Sequence, residues 1–329
     1  MAAFTSVLGQ QSAVQTLRHA LAHGRVHHAY RFEGPPGVGK ELAAFELARA
    51  LLCDAPAESR ACGACDTCRR VSTFSKEAPV VPLHPDVVLV ARGLYPPSAL
   101  GRDRPETSAI SVDQIRSVVL PRVGYPPHQG RALVIIVRDA DEMTVSAANA
   151  LLKTLEEPHA ETHFVLLSSK PERLLDTIRS RTLPVRFGPL PRAIVEEILA
   201  RHDAPRELAG IAEGSASLAL SLAISEEREQ QQAFVQSALR AIEAPDLASG
   251  LEQIEAPGTS RDELGRQLGF LAQALAERAR STVGSDDREA LRCARRYFHV
   301  LEASQHLERN AQPALVLESL VHQLQAVLA

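Results

Sequence analysis

The stretch GPPGVGK, Gly34 to Lys40, fits the pattern G-x-x-x-x-G-K. Glycines at positions 34, 37 and 39 let backbone N–H groups converge on a phosphate, the start of a following helix favours an anion, and Lys40 reaches the outer phosphates. The next position calls for Ser or Thr, whose hydroxyl binds Mg2+. It holds Glu41 instead, which sets a full negative charge beside the phosphates. The shape of the cradle is kept while its chemistry is compromised, so ATP binding is doubtful, although Lys40 and the glycines leave non-hydrolytic binding open.

A second set of reactive residues follows. Cys53, Cys62, Cys65 and Cys68 stand in a C-x8-C-x2-C-x2-C pattern. Zinc takes four thiolates tetrahedrally, and an x2 spacing lets one tight turn present two sulfurs to one ion. Four ligands leave no open coordination position, so the expected metal is a structural zinc; reduced thiols or disulfides are the alternatives. Arg60, Arg69 and Arg70 either offset the charge of a four-thiolate centre or form a solvated basic rim. Cys293 stands apart and reads as ordinary core.

The elements that must position these groups alternate. Val14, Leu17, Ala20 and Leu21 recur at helical spacing with Ser12 as N-cap, AYRFEG reads as a strand entering the glycine loop, and a helix from Leu42 to Leu52 leads into the first cysteine. PDVVLVA, ALVIIV and HFVLLSS are further strands, Ser111 or Asp113 starts one helix, and SAANALLKTLEEP forms another. Strands alternating with helices imply a parallel α/β sheet covered on both faces. Past RTLPVRFGPLP the β signal stops, and from Arg192 onward the chain reads as helices with breaks that include Glu255 to Thr259. In the last helix Leu317, Leu320, Val321, Leu324 and Leu328 form one apolar stripe that needs a partner surface. The fold class is therefore α/β followed by all-α.

Composition narrows the function. The 329 residues are 45% hydrophobic and 23% charged, as in ordinary globular domains. A formal net charge of -4 argues against a stand-alone nucleic-acid binder, and 4% aromatics without Trp offer little for base stacking. The longest apolar run, Ala132 to Val137, is too short to span a bilayer, and the N-terminus lacks the pattern of a signal peptide, so a cytoplasmic protein without a membrane partner is expected. Glu156 and Glu157 are neighbours on a helix end and point apart, which excludes a shared catalytic carboxylate pair. His27 and His28 show no metal spacing.

VIIVRDADEMTVSAANALLKTLEEP (Val134 to Pro158) and DTIRSRT (Asp176 to Thr182), taken with the glycine loop and the cysteines, resemble the bacterial clamp-loader subunits of DNA polymerase III, of the AAA+ class. The likeness runs from VLGQQSAVQTL to LVLESLVHQL and is densest from Ala29 to Phe187. It implies a P-loop AAA+ domain over residues 1–188 with a zinc module at about 53–77, a helical lid over 189–226, and a C-terminal helical collar over 227–329 that holds a ring.

In the ATP-hydrolysing relatives the strand before the NALLK helix ends in an Asp for magnesium and a Glu that polarises water. Counted back from NALLKTLEEP, these positions fall on Arg138 and Asp139; a register one residue later gives Asp139 and Ala140, and neither completes a site. The lid arginine that senses phosphate is also missing, since GSASLAL places Ser217 and Leu218 at its two candidate positions. RSR survives. The resemblance assigns Arg181 as the finger that projects into the ATP site of a neighbouring subunit, with Thr182 where the family usually has Cys, Arg179 as its competitor, and helix capping as a compatible structural role.

The implied function is a non-hydrolysing scaffold of the clamp loader, without ATPase activity of its own and part of a complex with DNA polymerase activity. Its partners are the ATP-hydrolysing loader subunits, the delta subunit and, through the assembly, the sliding clamp and primed DNA. The alternative is the ATP-hydrolysing gamma/tau-type motor, against which Glu41 and Arg138 both argue. Those two residues replace groups that converge on one magnesium and carry opposite charges. Either they pair in the metal's place or they drifted independently.

Overall fold

A computed structural model describes residues 4–56, 61–101, 109–159, 161–254, 260–309 and 311–327. They form two compact units, one ending at Ala219 and one beginning at Leu220. In the first, α1 (Gln11–Ala22) and β1 (Ala29–Glu33) precede α2 (Lys40–Leu52), α3 (Asp66–Ser72) and β2 (Val87–Val90). The short helices α4 (Val112–Gln114) and α5 (Leu120–Val123) lead to β3 (Leu133–Val137), α6 (Val145–Glu156) and β4 (Thr162–Ser168). Then come α7 (Asp176–Arg179), β5 (Leu183–Arg186), α8 (Arg192–Arg201) and α9 (Ala216–Leu222), in which the boundary between the units falls.

The strands form one parallel sheet in the order β2-β3-β4-β1-β5. A side chain every second residue faces the same way along a strand. On β3, Leu133, Ile135 and Val137 therefore join Val88, Val90, Phe164 and Leu166 on one face, where α6 lays Ala147, Ala148, Leu151 and Leu155 against them. Val134 and Ile136 are equally buried on the other face, so the strand is apolar throughout, as a sheet covered on both sides requires. Helix α6 begins where expected because the Thr144 side chain accepts from the Ala147 N–H at 3.1 Å.

Helix starts were only partly legible. Ser111 caps α4 and completes a reciprocal box with Gln114. Ser12, by contrast, lies inside α1, whose N-cap is Gln10. The Gln10 amide is used elsewhere: it donates to the carbonyls of Val38 (3.2 Å) and Gly188 (2.7 Å) and accepts from the Gly188 N–H (3.1 Å). It ties the chain after β5 to the glycine loop.

The second unit is helical: α10 (Ser225–Glu243), α11 (Leu247–Gln253), α12 (Arg261–Thr282), α13 (Asp287–Glu308) and α14 (Pro313–Ala326). They close on Phe234, Ile242, Leu268, Leu271, Leu320 and Leu324. The expected stripe of α14 is buried at Leu320, Val321 and Leu324, with Leu317 packed at its margin; Leu328 and the Glu255 to Thr259 break lie outside the described residues. Among the described residues no helix is long and apolar enough to cross a membrane.

One buried charge fixes the entry to the sheet. Asp86 is fully buried, and its carboxylate accepts from the backbone N–H groups of His128 (2.6 Å), Gln129 (2.8 Å) and Gly130 (2.7 Å) and from Arg122 (3.1 Å). Burial alone raises a carboxyl pKa; the three N–H groups outweigh it and hold Asp86 below its ordinary value. A depressed pKa stabilises the fold above the unfolded value of about 3.9 and ceases to do so as pH falls through the folded value. Asp86→Asn is expected to lower unfolding stability by roughly 2–3 kcal/mol at pH 7, with the gap to wild type closing in urea titrations carried below about pH 4.

Candidate functional site

The glycine loop joins the C-terminal end of β1 to the N-terminus of α2. Gly37 and Gly39 take positive φ values of 74° and 98°, conformations that disfavour a Cβ. A Cβ on Gly37 would also strike the hydroxyls of Ser215 and Ser217. The Ala216 N–H donates to the Gly37 carbonyl at 2.9 Å. The GSASLAL segment thus lies directly on the loop, and Ser217, one of the two candidate positions for a lid arginine, brings a hydroxyl to it. Gly34 closes the other end, donating its N–H to the Ser168 carbonyl at 3.2 Å.

Lys40 is turned into the loop itself. Its ammonium has three N–H donors, and three acceptors meet them: the Gly34 carbonyl at 2.6 Å, the Pro35 carbonyl at 2.7 Å and the Ser169 hydroxyl at 3.1 Å. Asp141 in turn accepts the Ser169 N–H at 3.0 Å. A phosphate must displace these partners before it can meet Lys40. Burial lowers the Lys40 pKa to about 8, against the opposing charges of Asp139 and Asp141.

Glu41 and Arg138 meet. Arg138 Nε donates to Glu41 Oε2 at 3.0 Å, and a second, parallel bond joins Arg138 Nη2 to Glu41 Oε1. This is the two-pronged geometry of a guanidinium on a carboxylate, so of the two outcomes open for these residues, pairing or independent drift, the side chains pair. Asp139 follows at φ 50°, exposed, where most non-glycine residues are strained.

Arg181 sits at the other end of the sheet. It precedes β5, which runs parallel to β1 with Leu183 paired to Tyr30, so it lies at the edge where the strands begin, while the glycine loop lies where β1 ends. A strand of five residues separates these edges by about 16 Å. Arg181 Nη1 donates to the Thr177 carbonyl at 2.9 Å and to Ser180 Oγ at 3.1 Å, Nη2 forms an ion pair with Glu156, and Nε is buried without a partner among the described residues. An open cleft of about 610 Å3 runs past it, walled by Glu156, Ser180, Thr182 and the stacked rings of His27 and His28. Burial, then the neighbouring His27, lowers the His28 pKa. Arg179, the competitor, forms a 3.4 Å pair with Asp176. The role of Glu156 was missed: a helix-end reading separates it correctly from Glu157 but says nothing about a partner 25 positions later.

The four cysteines converge. Cys53 ends α2, Cys65 caps α3, and all four sulfurs lie within 4.8 Å of one another. Among the described residues no disulfide forms. The backbone N–H groups of Cys62, Cys65 and Cys68 donate to the sulfurs of Cys53, Cys62 and Cys65 at 3.2, 3.3 and 3.4 Å. Four sulfurs at this separation, supported by N–H donors, are a donor set that can hold a zinc ion. Arg69 is paired with Asp66 at 3.5 Å, and Arg70 donates to Gln129 and to the Leu83 carbonyl, while Arg60 lies outside the described residues.

A parallel sheet in this strand order, a glycine loop after β1 and a helical segment resting on that loop define a P-loop domain of the AAA+ class. The family model described as DNA polymerase III, delta subunit, matches residues 9–191. The chain belongs to that family. It is 36% identical over 200 residues to the gamma/tau subunit of DNA polymerase III from Mycobacterium tuberculosis, covering 61% of this chain and 31% of that one. It is 35% identical over 233 residues to the delta' subunit of Pseudomonas aeruginosa (69% and 65% covered) and 32% over 244 residues to that of Escherichia coli (71% and 66%). The chain thus spans about a third of the gamma/tau relatives and about two thirds of the delta' relatives.

Lys40 has a measurable signature. With a folded pKa near 8 and an unfolded one near 10.5, the unfolded chain binds more protons between these values, so stability rises with pH across that window. Lys40→Met is expected to remove that rise, seen as a difference from wild type of up to about 1.4 kcal/mol per pH unit in urea midpoints taken between pH 8 and 10.

Proposed function

We propose that this chain is a delta'-type, non-hydrolysing subunit of the DNA polymerase III clamp loader. In this reading residues 1–188, 189–226 and 227–329 act as AAA+ domain, lid and collar, and the chain scaffolds a ring with the ATP-hydrolysing gamma/tau-type subunits and the delta subunit. The assembly loads the sliding clamp onto primed DNA.

The observation that carries the reading is the contrast between the two edges of one sheet. At the cradle, Lys40 is satisfied by carbonyls and a hydroxyl and Glu41 is neutralised by Arg138, so neither side chain is free for a phosphate or a magnesium ion. At the opposite edge Arg181 faces an open cleft, too far from its own cradle to serve it. An arginine in that position acts on a nucleotide held by a neighbour, stabilising charge that develops on the transferred phosphoryl group. The cysteine cluster holds a structural zinc that pins the ends of α2 and α3.

The gamma/tau likeness supports a second reading, an active motor, and ATP turnover separates the two. The isolated chain is expected to hydrolyse no ATP above background, with Lys40→Ala unchanged; turnover abolished by Lys40→Ala would establish the motor. In a complex reconstituted with gamma/tau and delta subunits, Arg181→Ala is expected to slow hydrolysis at the neighbouring site by at least about a hundredfold without loss of assembly. Full turnover in the intact complex rejects the trans role.

For the metal, elemental analysis is expected to give one zinc per chain, absent in Cys62→Ser, and a strong chelator is expected to lower the melting temperature of wild type but not of that variant. A metal-free wild-type protein of equal stability rejects the zinc.

A further inference from the structure

Arg31 occupies the middle of β1, between Leu166 of β4 and Pro184 of β5, and is almost fully buried. A guanidinium there is expensive unless its donors are matched. Along the strand Tyr30 and Phe32 turn to one face, so Arg31 and Glu33 share the other. Arg31 Nε donates to Glu33 Oε1 at 2.6 Å, which neutralises the charge. Its Nη1 reaches out of the strand to a different element, donating to the Arg179 carbonyl at 3.0 Å and to Thr182 Oγ1 at 2.7 Å. Thr182 Oγ1 passes its own proton to the Ile178 carbonyl at 2.9 Å.

These two anchors bracket Arg181, one two residues before it and one directly after. The Arg181 N–H itself donates to the Ile178 carbonyl at 3.1 Å. The backbone of the RSR turn is thereby closed from behind, while the Arg181 side chain turns to the other side, bonded to the Thr177 carbonyl and Ser180 Oγ and paired with Glu156 at the cleft. An apolar residue would fill the strand position as well and leave no buried charge to neutralise. One amino group of the guanidinium, through its two N–H donors, holds a carbonyl and a hydroxyl of the turn together, which an apolar side chain cannot do.

We infer that Arg31 is a positioning residue for Arg181: it fixes the turn from which Arg181 reaches the neighbouring subunit's nucleotide, without touching that nucleotide. The inference rests on the trans role proposed above. Small displacements of a charge-stabilising group cost up to about a hundredfold in rate, so a loosened turn lowers turnover while leaving ATP affinity, set by the neighbour's own cradle, unchanged.

The test is ATP hydrolysis by the reconstituted complex, with assembly checked by gel filtration and folding by thermal melting. Arg31→Met is expected to lower kcat about tenfold or more with KM for ATP unchanged. Thr182→Val, which keeps Arg31 and the fold but removes the hydroxyl anchor, should act in the same direction, and Arg31→Lys should restore part of the rate. In an Arg181→Ala background neither substitution should lower the rate further. Wild-type kcat in both Arg31→Met and Thr182→Val, beside a slowed Arg181→Ala, overturns the positioning role and leaves the trans role standing. A further loss in the Arg181→Ala background also overturns it, as general damage. If Arg181→Ala itself is as fast as wild type, the trans role fails, and the positioning role with it. Should Arg31→Met not fold, Thr182→Val decides.

Discussion

A glycine loop feeding a helix N-terminus gathers positive potential at one point, and that potential must be met. In a nucleotide-binding protein phosphates meet it. Here the chain does so with its own groups. The loop's carbonyls and Ser169 accept every proton of the Lys40 ammonium, and Glu41 sits in the first turn of α2, where a carboxylate suits the helix dipole. Arg138 then balances Glu41. Each replacement makes sense only with the others: Glu41 beside a bound triphosphate would repel it, and Arg138 without Glu41 would add charge to a site that already holds Lys40. The arrangement satisfies the loop's charged groups from within the chain.

The same sheet separates the glycine loop from Arg181. The cradle lies where β1 ends; Arg181 lies where β5 begins, a strand length away. Changes at residues 41 and 138 alter contacts at the first edge and leave the second edge's hydrogen bonds untouched. β1 carries a physical connection between them, because Arg31 and Glu33 lie on the strand that becomes the glycine loop, and Arg31 grips the turn that presents Arg181.

Local rules made much of this legible. The x2 cysteine spacings, the period-2 burial and the G-x-x-x-x-G-K loop each describe groups close in sequence whose geometry follows from backbone constraints. For the opposite charges at 41 and 138 the sequence left pairing and independent drift open, and Nε of Arg138 lies 3.0 Å from Glu41. The rest depends on tertiary proximity, which no local rule encodes. Ser12 has the right chemistry for a cap, yet Gln10 takes the position because its amide bridges Val38 and Gly188. Glu156 reads as one of two acids at a helix end until β5 brings Arg181 beside it. Arg31 is one residue of the AYRFEG strand, and nothing local marks it as the anchor of the RSR turn.

The buried arginine also shows why positioning needs charge at all. An apolar strand residue packs against whatever lies over it, and packing tolerates sliding by fractions of an ångström. Hydrogen bonds to a carbonyl and a hydroxyl are directional and fail within that distance. If Arg181 is to meet a phosphoryl group on another protein, as proposed, its base has to be fixed by something stiffer than apolar contact. The anchor comes from behind, out of the sheet. A charge placed there must bring its own counter-ion, and Glu33, two residues along the same strand, supplies it at 2.6 Å.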